Sequence, residues 1–236
     1  MISLVLKFLR IIRRALRNLR AGLLLSFADF LGFPLWFIKT RSGTRPLDYS
    51  GSLSTAVGAP EYSRSAFSVY QPLARTRWPL FLLTSIPGQI NGKLLVIGPR
   101  FESEFYLARG LGWSRRSIVG LDLLTYSSYV TVGDMHDMPF KDNVFNSIVC
   151  GWTISYSFEP EILASEIVRV LRDGGIVVFG VEVALDDSSS DIHVPKGDFR
   201  IQTRGQFEQL FPTFEIVACF EPAGNGNMLI AMRKPS

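Results

Sequence analysis

The chain has 236 residues, of which 47% are hydrophobic and 19% are charged, and this composition argues against intrinsic disorder. The length accommodates one ordinary domain plus an additional segment. The net charge of +4 is unevenly distributed, because residues 1–45 contain nine of the 25 basic residues and only one acid. The remainder is therefore mildly acidic, which argues against a nucleic-acid-binding surface in the domain.

Cysteine and histidine give no indication of a metal site. Cys150 and Cys219 lie within apolar runs, so we expect buried free thiols rather than a disulfide framework or a zinc site. His136 and His193 are far apart in sequence and lack the spacing of metal ligands. The sequence therefore predicts a protein without a bound metal.

Residues 4–20 have the periodicity of an amphipathic helix. On a helical projection, the large apolar side chains share one arc, and six basic side chains share the opposite arc with Leu6 as the one large apolar exception. This pattern is typical of a helix in a membrane interface, where each cation contributes on the order of 1 kcal/mol near an anionic leaflet. The basic residues are Lys7, Arg10, Arg13, Arg14, Arg17 and Arg20.

Residues 21–38 are mostly apolar, but Asp29 and Pro34 interrupt them. A membrane-spanning helix needs about 20 apolar residues, and an aspartate at mid-bilayer costs about 3 kcal/mol. We therefore expect residues 1–40 to form a monotopic segment that binds the lipid surface at the cytoplasmic face of a membrane. The alternatives are a single span, a cleaved targeting peptide, and a helix pair that packs on the protein's own domain.

Residues 41–90 are poorly periodic and rich in Ser, Gly, Pro and Arg. They predict a linker followed by lead-in helices within residues 66–86, with turns at Trp78-Pro79 and Pro87-Gly88.

Residues 91–236 alternate short apolar runs with helical patterns, which predicts an α/β domain with a Rossmann-like, mostly parallel sheet. Two late strands joined by a turn-rich segment should form an antiparallel terminal hairpin. The predicted strands cover residues 94–97, 117–121, 130–132, 147–150, 176–183, 215–220 and 228–233. The predicted helices cover residues 103–109, 161–172 and 203–211, with Gly174 as the C-terminal cap of the second helix.

The residues that follow the predicted strands define a candidate binding site, because α/β sheets bind ligands at the carboxyl ends of their strands. Asp122 could accept both hydroxyls of a ribose. Asp134 could accept an exocyclic amine, with Leu123 or Met135 packing on a purine ring. The residues at the strand ends are Gly98, Pro99, Arg100, Asp122, Leu123, Asp134, Met135 and Trp152.

Within residues 93–233, three segments resemble the class I S-adenosylmethionine-dependent methyltransferases of the type 11 kind. They read IVGLDLL from residue 118, VGDMHDMPFKDNVFNSIVCGW from residue 132, and EIVRVLRDGGIVVFGVE from residue 166. The resemblance implies S-adenosylmethionine as cofactor. It maps the family's ribose-binding acid onto Asp122 and its adenine-side acid onto Asp134.

The first loop departs from the family pattern of acid-x-Gly-x-Gly-x-Gly. Val96 stands in the place of the acid, and Gly98, Arg100 and Glu102 stand in the places of the glycines. In one interpretation, Arg100 binds the methionine carboxylate of the cofactor while Glu102 or Glu104 receives its amine. In the other, the loop has closed and the fold no longer binds the cofactor. The polar residues at the other strand ends favour retained binding.

Methyl transfer would proceed by in-line displacement on the sulfonium carbon, which depends mainly on proximity and alignment. His136 is a candidate base and Tyr156 a candidate substrate-side residue. The predicted membrane segment favours a lipid, glycan-lipid or small-molecule acceptor. The alternatives are a non-catalytic, membrane-tethered scaffold or binding protein, and a nicotinamide-dependent reductase, since an acid after the second strand also suits that cofactor.

Overall fold

The computed structural model describes residues 74–125, 127–183, 200–224 and 226–236, together with a two-residue strand at Leu47–Asp48. The predicted membrane-associating segment, residues 1–40, lies outside these residues, as does most of the predicted linker. Within the described ranges, no helix is long and apolar enough to cross a bilayer.

The described elements follow one another as an alternation of strands and helices. Three short 3-10 turns, at Gln89–Asn91, Arg115–Ser117 and Thr153–Tyr156, connect some of them. In chain order the elements are β1 (Leu47–Asp48), α1 (Ala74–Ser85), β2 (Leu94–Ile97), α2 (Glu102–Leu111), β3 (Ile118–Asp122), β4 (Leu124–Thr125), β5 (Val130–Val132), β6 (Phe145–Gly151), α3 (Pro160–Val170), β7 (Leu171–Val183), α4 (Arg204–Leu210), β8 (Glu215–Phe220) and β9 (Gly226–Arg233).

The main sheet has the strand order β5-β3-β2-β6-β7-β9-β8. All neighbouring strands are parallel except those of the terminal hairpin, where β9 is antiparallel to both β7 and β8. The predicted mostly parallel sheet with an antiparallel terminal hairpin is therefore confirmed. Every residue of β2 is buried, as expected for a central parallel strand that is covered on both faces.

Helices cover both faces of the sheet, so the domain has three layers. One face packs against α1 and α2 through a buried cluster that includes Leu80, Leu83 and Phe105. The other face packs against α3 and α4 through a cluster that includes Leu163 and Phe207. Burial of these apolar side chains is the main driving force for folding.

Three expectations about the second half of the domain differ from the structure in detail. Helix α3 ends at Val170 rather than at residue 172, because Leu171 is already extended and pairs with Phe145. Gly174 is therefore not a helix cap. It has a φ of 71° and lies where the β6–β7 register is interrupted before Ile176. Cys219 is only half-buried, since β8 is the edge strand of the sheet.

Two features of the segment before the domain were not predicted. Strand β1 lies in the predicted linker and pairs with β4, which follows β3 directly. Pro79 is not in a turn but inside α1. A proline cannot donate to the carbonyl four residues earlier, which here belongs to Arg75. That carbonyl instead faces Gly151, where a side-chain Cβ would overlap it.

The aromatic packing between β7 and α4 predicts a large effect on stability. Phe179 is fully buried and lies 4.9 Å from the ring of Phe207 and 5.4 Å from the ring of Phe211, centroid to centroid. Phe179→Ala should lower the free energy of unfolding by about 3–5 kcal/mol in urea titrations, because it leaves a cavity between helix and sheet. Phe220 is 59% exposed on the edge strand, and Phe220→Ala should change stability by less than about 0.5 kcal/mol. Equal effects would contradict this packing.

Candidate functional site

The topology creates a crevice between the carboxyl ends of β2 and β6. After β2 the chain moves outward to β3 and β5, and it then crosses to β6 on the other side of β2. Such a switch point is where open α/β sheets bind ligands. Gly98 follows β2, Asp122 ends β3, Asp134 follows β5 and Trp152 follows β6. The structure therefore places the predicted strand-end residues along one edge of the sheet.

The loop after β2 needs its glycine because of a contact across the crevice. Gly98 has a φ of 70°, and a Cβ at this position would overlap the side chain of Thr153, which follows β6. The Thr153 hydroxyl donates to the carbonyl of Ile97 over 3.0 Å. Pro99 is buried and packs against Gly120 of β3. The loop is thus held close to the neighbouring strands on both sides.

Glu104 fixes the rest of this loop from the first turn of α2. One carboxylate oxygen accepts the backbone N–H groups of Arg100 at 2.8 Å and Phe101 at 3.2 Å. The other oxygen accepts the hydroxyl of Thr76, from α1. Burial raises the pKa of Glu104, although these hydrogen bonds act in the opposite direction. Both carboxylate oxygens of Glu104 already accept hydrogen bonds from within the protein. Its predicted contact with a cofactor amine stays a prediction.

Asp122 is a half-buried carboxyl at the end of β3. Burial raises its pKa to about 7, and the negative charge of Glu104 adds to that effect, whereas backbone N–H groups and Arg100 oppose it. Its Oδ1 accepts the backbone N–H of Leu124 at 3.4 Å. Among the described residues, its hydrogen-bond donors are backbone N–H groups of its own turn, so the half-buried carboxyl can still accept ligand hydroxyls.

Asp134 belongs to a buried chain of hydrogen bonds. Its Oδ1 lies 2.8 Å from Nδ1 of His136 and accepts the His136 backbone N–H at 2.9 Å, while His136 Nε2 lies 2.7 Å from Oγ of Ser157. Burial alone would raise the pKa of Asp134, but the bonds from His136 outweigh burial and lower it. Since both ring nitrogens of His136 have partners inside the protein, a role as base stays a prediction that requires the Ser157 contact to open.

The first turn of α1 covers the carboxyl end of β6. Arg75 donates through Nη2 to the hydroxyl of Tyr156 over 3.2 Å, and its carbonyl faces Gly151. Trp152 has a φ of 61° and its ring lies against Gly180 of β7. Tyr156 thus lies beside the crevice, in contact with the helix that leads into the domain.

Leu123 and Met135 are half-buried, and Met135 packs against the apolar cluster beneath α3. Both keep surface for contact with a ligand. Within the described ranges, no group of three or more His, Cys, Asp or Glu side chains is arranged to hold a metal ion.

Four polar residues around the crevice were missed by the sequence analysis: Arg75, Thr76, Thr153 and Ser157. Thr153 and Ser157 lie within six residues of the end of β6, so their distance from a strand end could have identified them. Arg75 and Thr76 could not be identified in this way, because they belong to a poorly periodic segment that is far in sequence from the predicted strand ends.

The Glu104 contacts predict that the carboxylate's hydrogen bonds matter more than its charge. Glu104→Ala leaves two backbone N–H groups and the Thr76 hydroxyl without their acceptor and should lower the free energy of unfolding by about 1–3 kcal/mol. Glu104→Gln keeps an acceptor for the N–H groups and a donor toward Thr76, so it should cost much less. Glu102→Ala, in the same helical turn, controls for the helix dipole and should cost at most about 1 kcal/mol. A loss in Glu104→Gln as large as in Glu104→Ala would contradict this explanation.

Comparisons with known proteins agree with this architecture. Residues 110–179 match the family model described as a methyltransferase domain. No curated protein sequence matches the chain. Among solved structures, a candidate methyltransferase in complex with the Haloferax volcanii Trm112 methyltransferase activator has a TM-score of 0.55 at 16% identity. The match covers 78% of this chain and 98% of that one.

Two bacterial structures are similar in the same way. An S-adenosylmethionine-dependent methyltransferase from Mesorhizobium loti has a TM-score of 0.51 at 14% identity, covering 68% of this chain and 99% of its own. A candidate methyltransferase from Bacillus halodurans has a TM-score of 0.50 at 17% identity, covering 66% and 99%. At these identities the structures show the fold alone. Residues 110–179 match a methyltransferase domain, and the sheet that contains them has the fold of solved S-adenosylmethionine-dependent methyltransferases.

Proposed function

We propose that this chain transfers a methyl group from S-adenosylmethionine to a lipid, glycan-lipid or small-molecule acceptor at a membrane surface. The observation that carries the proposal is the position of Asp122 at the end of β3, on the switch-point edge, where its side chain is half-buried and its pKa is raised to about 7. A partly buried carboxylate is stabilised when a ligand donates hydrogen bonds to it. The two hydroxyls of a ribose are donors of that kind.

The other strand-end residues fit the remaining parts of the cofactor. Asp134, held through Oδ1 by His136, is fixed in the position for an adenine amine. Leu123 and Met135 supply apolar surface for the purine ring. Arg100, whose charge reaches both Glu104 and Asp122, is suited to the methionine carboxylate. The bound cofactor supplies an electrophilic methyl group, and these residues bind and orient it.

Gly98, Pro99 and Trp152 determine the shape of the crevice rather than its charge. Because Gly98 has no Cβ, the loop can lie directly against Thr153 at the end of β6. The ring of Trp152 against Gly180 closes the β7 side. A tightly bounded site favours transfer because the rate depends on alignment of donor and acceptor.

The second candidate function is a non-catalytic scaffold that uses the same fold. It is favoured by Glu104, whose carboxylate already accepts the N–H groups of Arg100 and Phe101 in the loop. In the scaffold interpretation, these contacts close the loop permanently. The two functions differ in whether the domain binds the cofactor at all.

Calorimetric titration of the full chain with S-adenosylhomocysteine distinguishes these functions. The carboxyl of Asp122 accepts hydrogen bonds through both oxygens only when it is ionised. Its pKa is raised to about 7, so ionisation occurs near neutral pH. Affinity should therefore rise as the pH increases through 7, and it should be about tenfold higher at pH 8 than at pH 6. Asp122→Asn should weaken binding at pH 8 by about 10–100-fold, because charge-assisted hydrogen bonds are lost, and it should remove this pH dependence.

The matched control is Asp173→Asn, at an exposed site where the acid pairs with Lys234. It should bind with wild-type affinity. The raised pKa also means that ionisation of Asp122 opposes folding as the pH rises from about 4 through 7. Asp122→Asn should therefore be at least as stable as wild type at pH 8, so weaker binding cannot be attributed to unfolding. Wild-type protein that binds no S-adenosylhomocysteine at either pH would support the scaffold instead.

The membrane part of the proposal is supported by the sequence of residues 1–40. If residues 4–20 form a helix, their sequence places six basic residues opposite a wide apolar face, a pattern typical of helices that bind a membrane interface. Binding of this segment would hold the domain at the cytoplasmic face of the membrane. An acceptor in or near the bilayer would then be close to the domain.

Vesicle flotation tests this membrane contact. The full chain should float with vesicles that contain about 30% anionic lipid and much less with neutral vesicles, because each basic residue adds about 1 kcal/mol near an anionic surface. A chain without residues 1–40 should stay in the dense fraction. Equal flotation of the two proteins would refute the membrane contact and leave the methyltransferase proposal unaffected.

A further inference from the structure

Arg200 is a buried arginine without a counter-ion among the described residues. It is 5% exposed, and neither its Nε nor its Nη1 atom has a hydrogen-bond acceptor in that part of the chain. Its backbone is well held, since Gln206 donates through Nε2 to the Arg200 carbonyl over 2.9 Å. A guanidinium is always charged, and a charge removed from water without a partner is strongly unfavourable. Nε and Nη1 of Arg200 are therefore buried donors that lack an acceptor among the described residues.

The topology places Arg200 at the same edge of the sheet as the switch point. Strand β7 ends at Val183 at the carboxyl edge, and β8 begins at Glu215 at the opposite edge, where Glu215, Arg233 and Ile176 are aligned across three strands. Helix α4 therefore runs back from the carboxyl edge, and Arg200 precedes it there.

The neighbouring residue agrees with this placement. Ile201 lines a groove of about 660 Å³ between α3 and α4, together with Phe158 and Pro160, which follow β6 at the carboxyl edge. Ser157, one residue before this pair, bonds to His136 in the chain of contacts that ends on Asp134. Arg200 thus precedes α4 at the carboxyl edge, on the β7 side of the switch point, whereas Asp122 ends β3 on the other side of it.

We propose that Arg200 binds an oxyanion, a carboxylate or a phosphate, carried by the methyl acceptor. The guanidinium is the side chain best suited to such a group, because its planar set of donors matches the oxygens of either one. This inference rests on the proposed methyltransferase function and adds to it a substrate class, an acidic acceptor. The binding step itself needs no cofactor, so it is tested separately.

The rival explanation is an internal counter-ion. Residues 184–199 contain four acids, Asp186, Asp187, Asp191 and Asp198. If one of them neutralises Arg200, removal of the arginine breaks an ion pair and leaves an acid behind. If Arg200 has no internal counter-ion, replacing it removes an uncompensated buried charge and stabilises the ligand-free protein. The two explanations predict opposite changes in stability.

The experiment compares thermal unfolding of the full chain and of Arg200→Met, at fixed ionic strength, with sodium chloride, acetate or inorganic phosphate. In chloride, Arg200→Met should raise the unfolding temperature by about 2 °C or more. At about 20 mM, acetate or phosphate should raise it by about 2–4 °C in wild type. In Arg200→Met this response should vanish. Arg200→Lys keeps the charge and should keep part of it.

The matched control is Arg204→Gln, at an exposed position where the arginine pairs with Glu208. It should respond to the anions as wild type does. A stronger response to acetate assigns a carboxylate, and a stronger response to phosphate assigns a phosphate. If the response to phosphate is stronger, a soluble short-chain phosphatidic acid is tested next. It identifies a lipid source if it raises the unfolding temperature at a concentration at least tenfold lower than inorganic phosphate does. All these outcomes support an oxyanion site.

Three results would overturn the inference: no response of wild type beyond that to chloride, an anion response that persists in Arg200→Met, or a lower unfolding temperature of Arg200→Met in chloride. The last result is the one that an internal ion pair predicts. Failure of S-adenosylhomocysteine to bind, with the anion response intact, would instead refute the proposed function and leave an anion site of unassigned role.

Discussion

The buried carboxylate of Glu104 is the interaction on which the crevice depends. In a glycine-rich loop, bare backbone approaches the ligand, and the N–H groups are left for it. Here a glutamate from the following helix accepts two of those N–H groups and also binds Thr76 of the preceding helix. One side chain therefore joins α1, the loop and α2. The loop can carry Pro99 and Arg100 in place of flexible residues because its conformation is fixed from inside the protein.

Burial alone would raise the pKa of both strand-end aspartates, but their net pKa shifts have opposite directions. Asp122 has few hydrogen-bond donors and lies near the charge of Glu104, so its pKa rises to about 7. Asp134 is held by the ring and the backbone of His136, so its pKa falls. Asp134 is therefore a permanent, oriented acceptor, whereas Asp122 becomes a full acceptor only when it loses a proton. Of these two aspartates, Asp122 is therefore the one whose protonation changes near neutral pH.

Much of the fold was predictable because parallel strands and amphipathic helices leave strong local patterns. The sheet, the hairpin and the positions of Asp122 and Asp134 at strand ends follow from such patterns and agree with the structure. The end of α3 was missed because Gly174 suits a helix cap as well as the irregular start of β7. Helix propensity could not show that Leu171 pairs with Phe145, which is a tertiary contact.

The contacts of the site were less predictable, because they join residues that are distant in sequence. Nothing local indicates that Thr76 meets Glu104, or that the carbonyl freed by Pro79 is accommodated at Gly151. The chain from Asp134 through His136 to Ser157 spans a strand and two loops. A sequence pattern shows which side chains reach the crevice, but only the packed structure shows which of them are already engaged with one another.

The central claim is that Asp122 is the ligand-dependent acceptor of a methyl-donor site. The most direct test is NMR titration of the carboxyl carbon of Asp122, assigned by means of Asp122→Asn, with and without S-adenosylhomocysteine. The account predicts a pKa near 7 in the free protein and a clear decrease when the ligand is bound, because ribose hydroxyls stabilise the ionised form. An ordinary pKa in the free protein, or one that the ligand leaves unchanged, would contradict it.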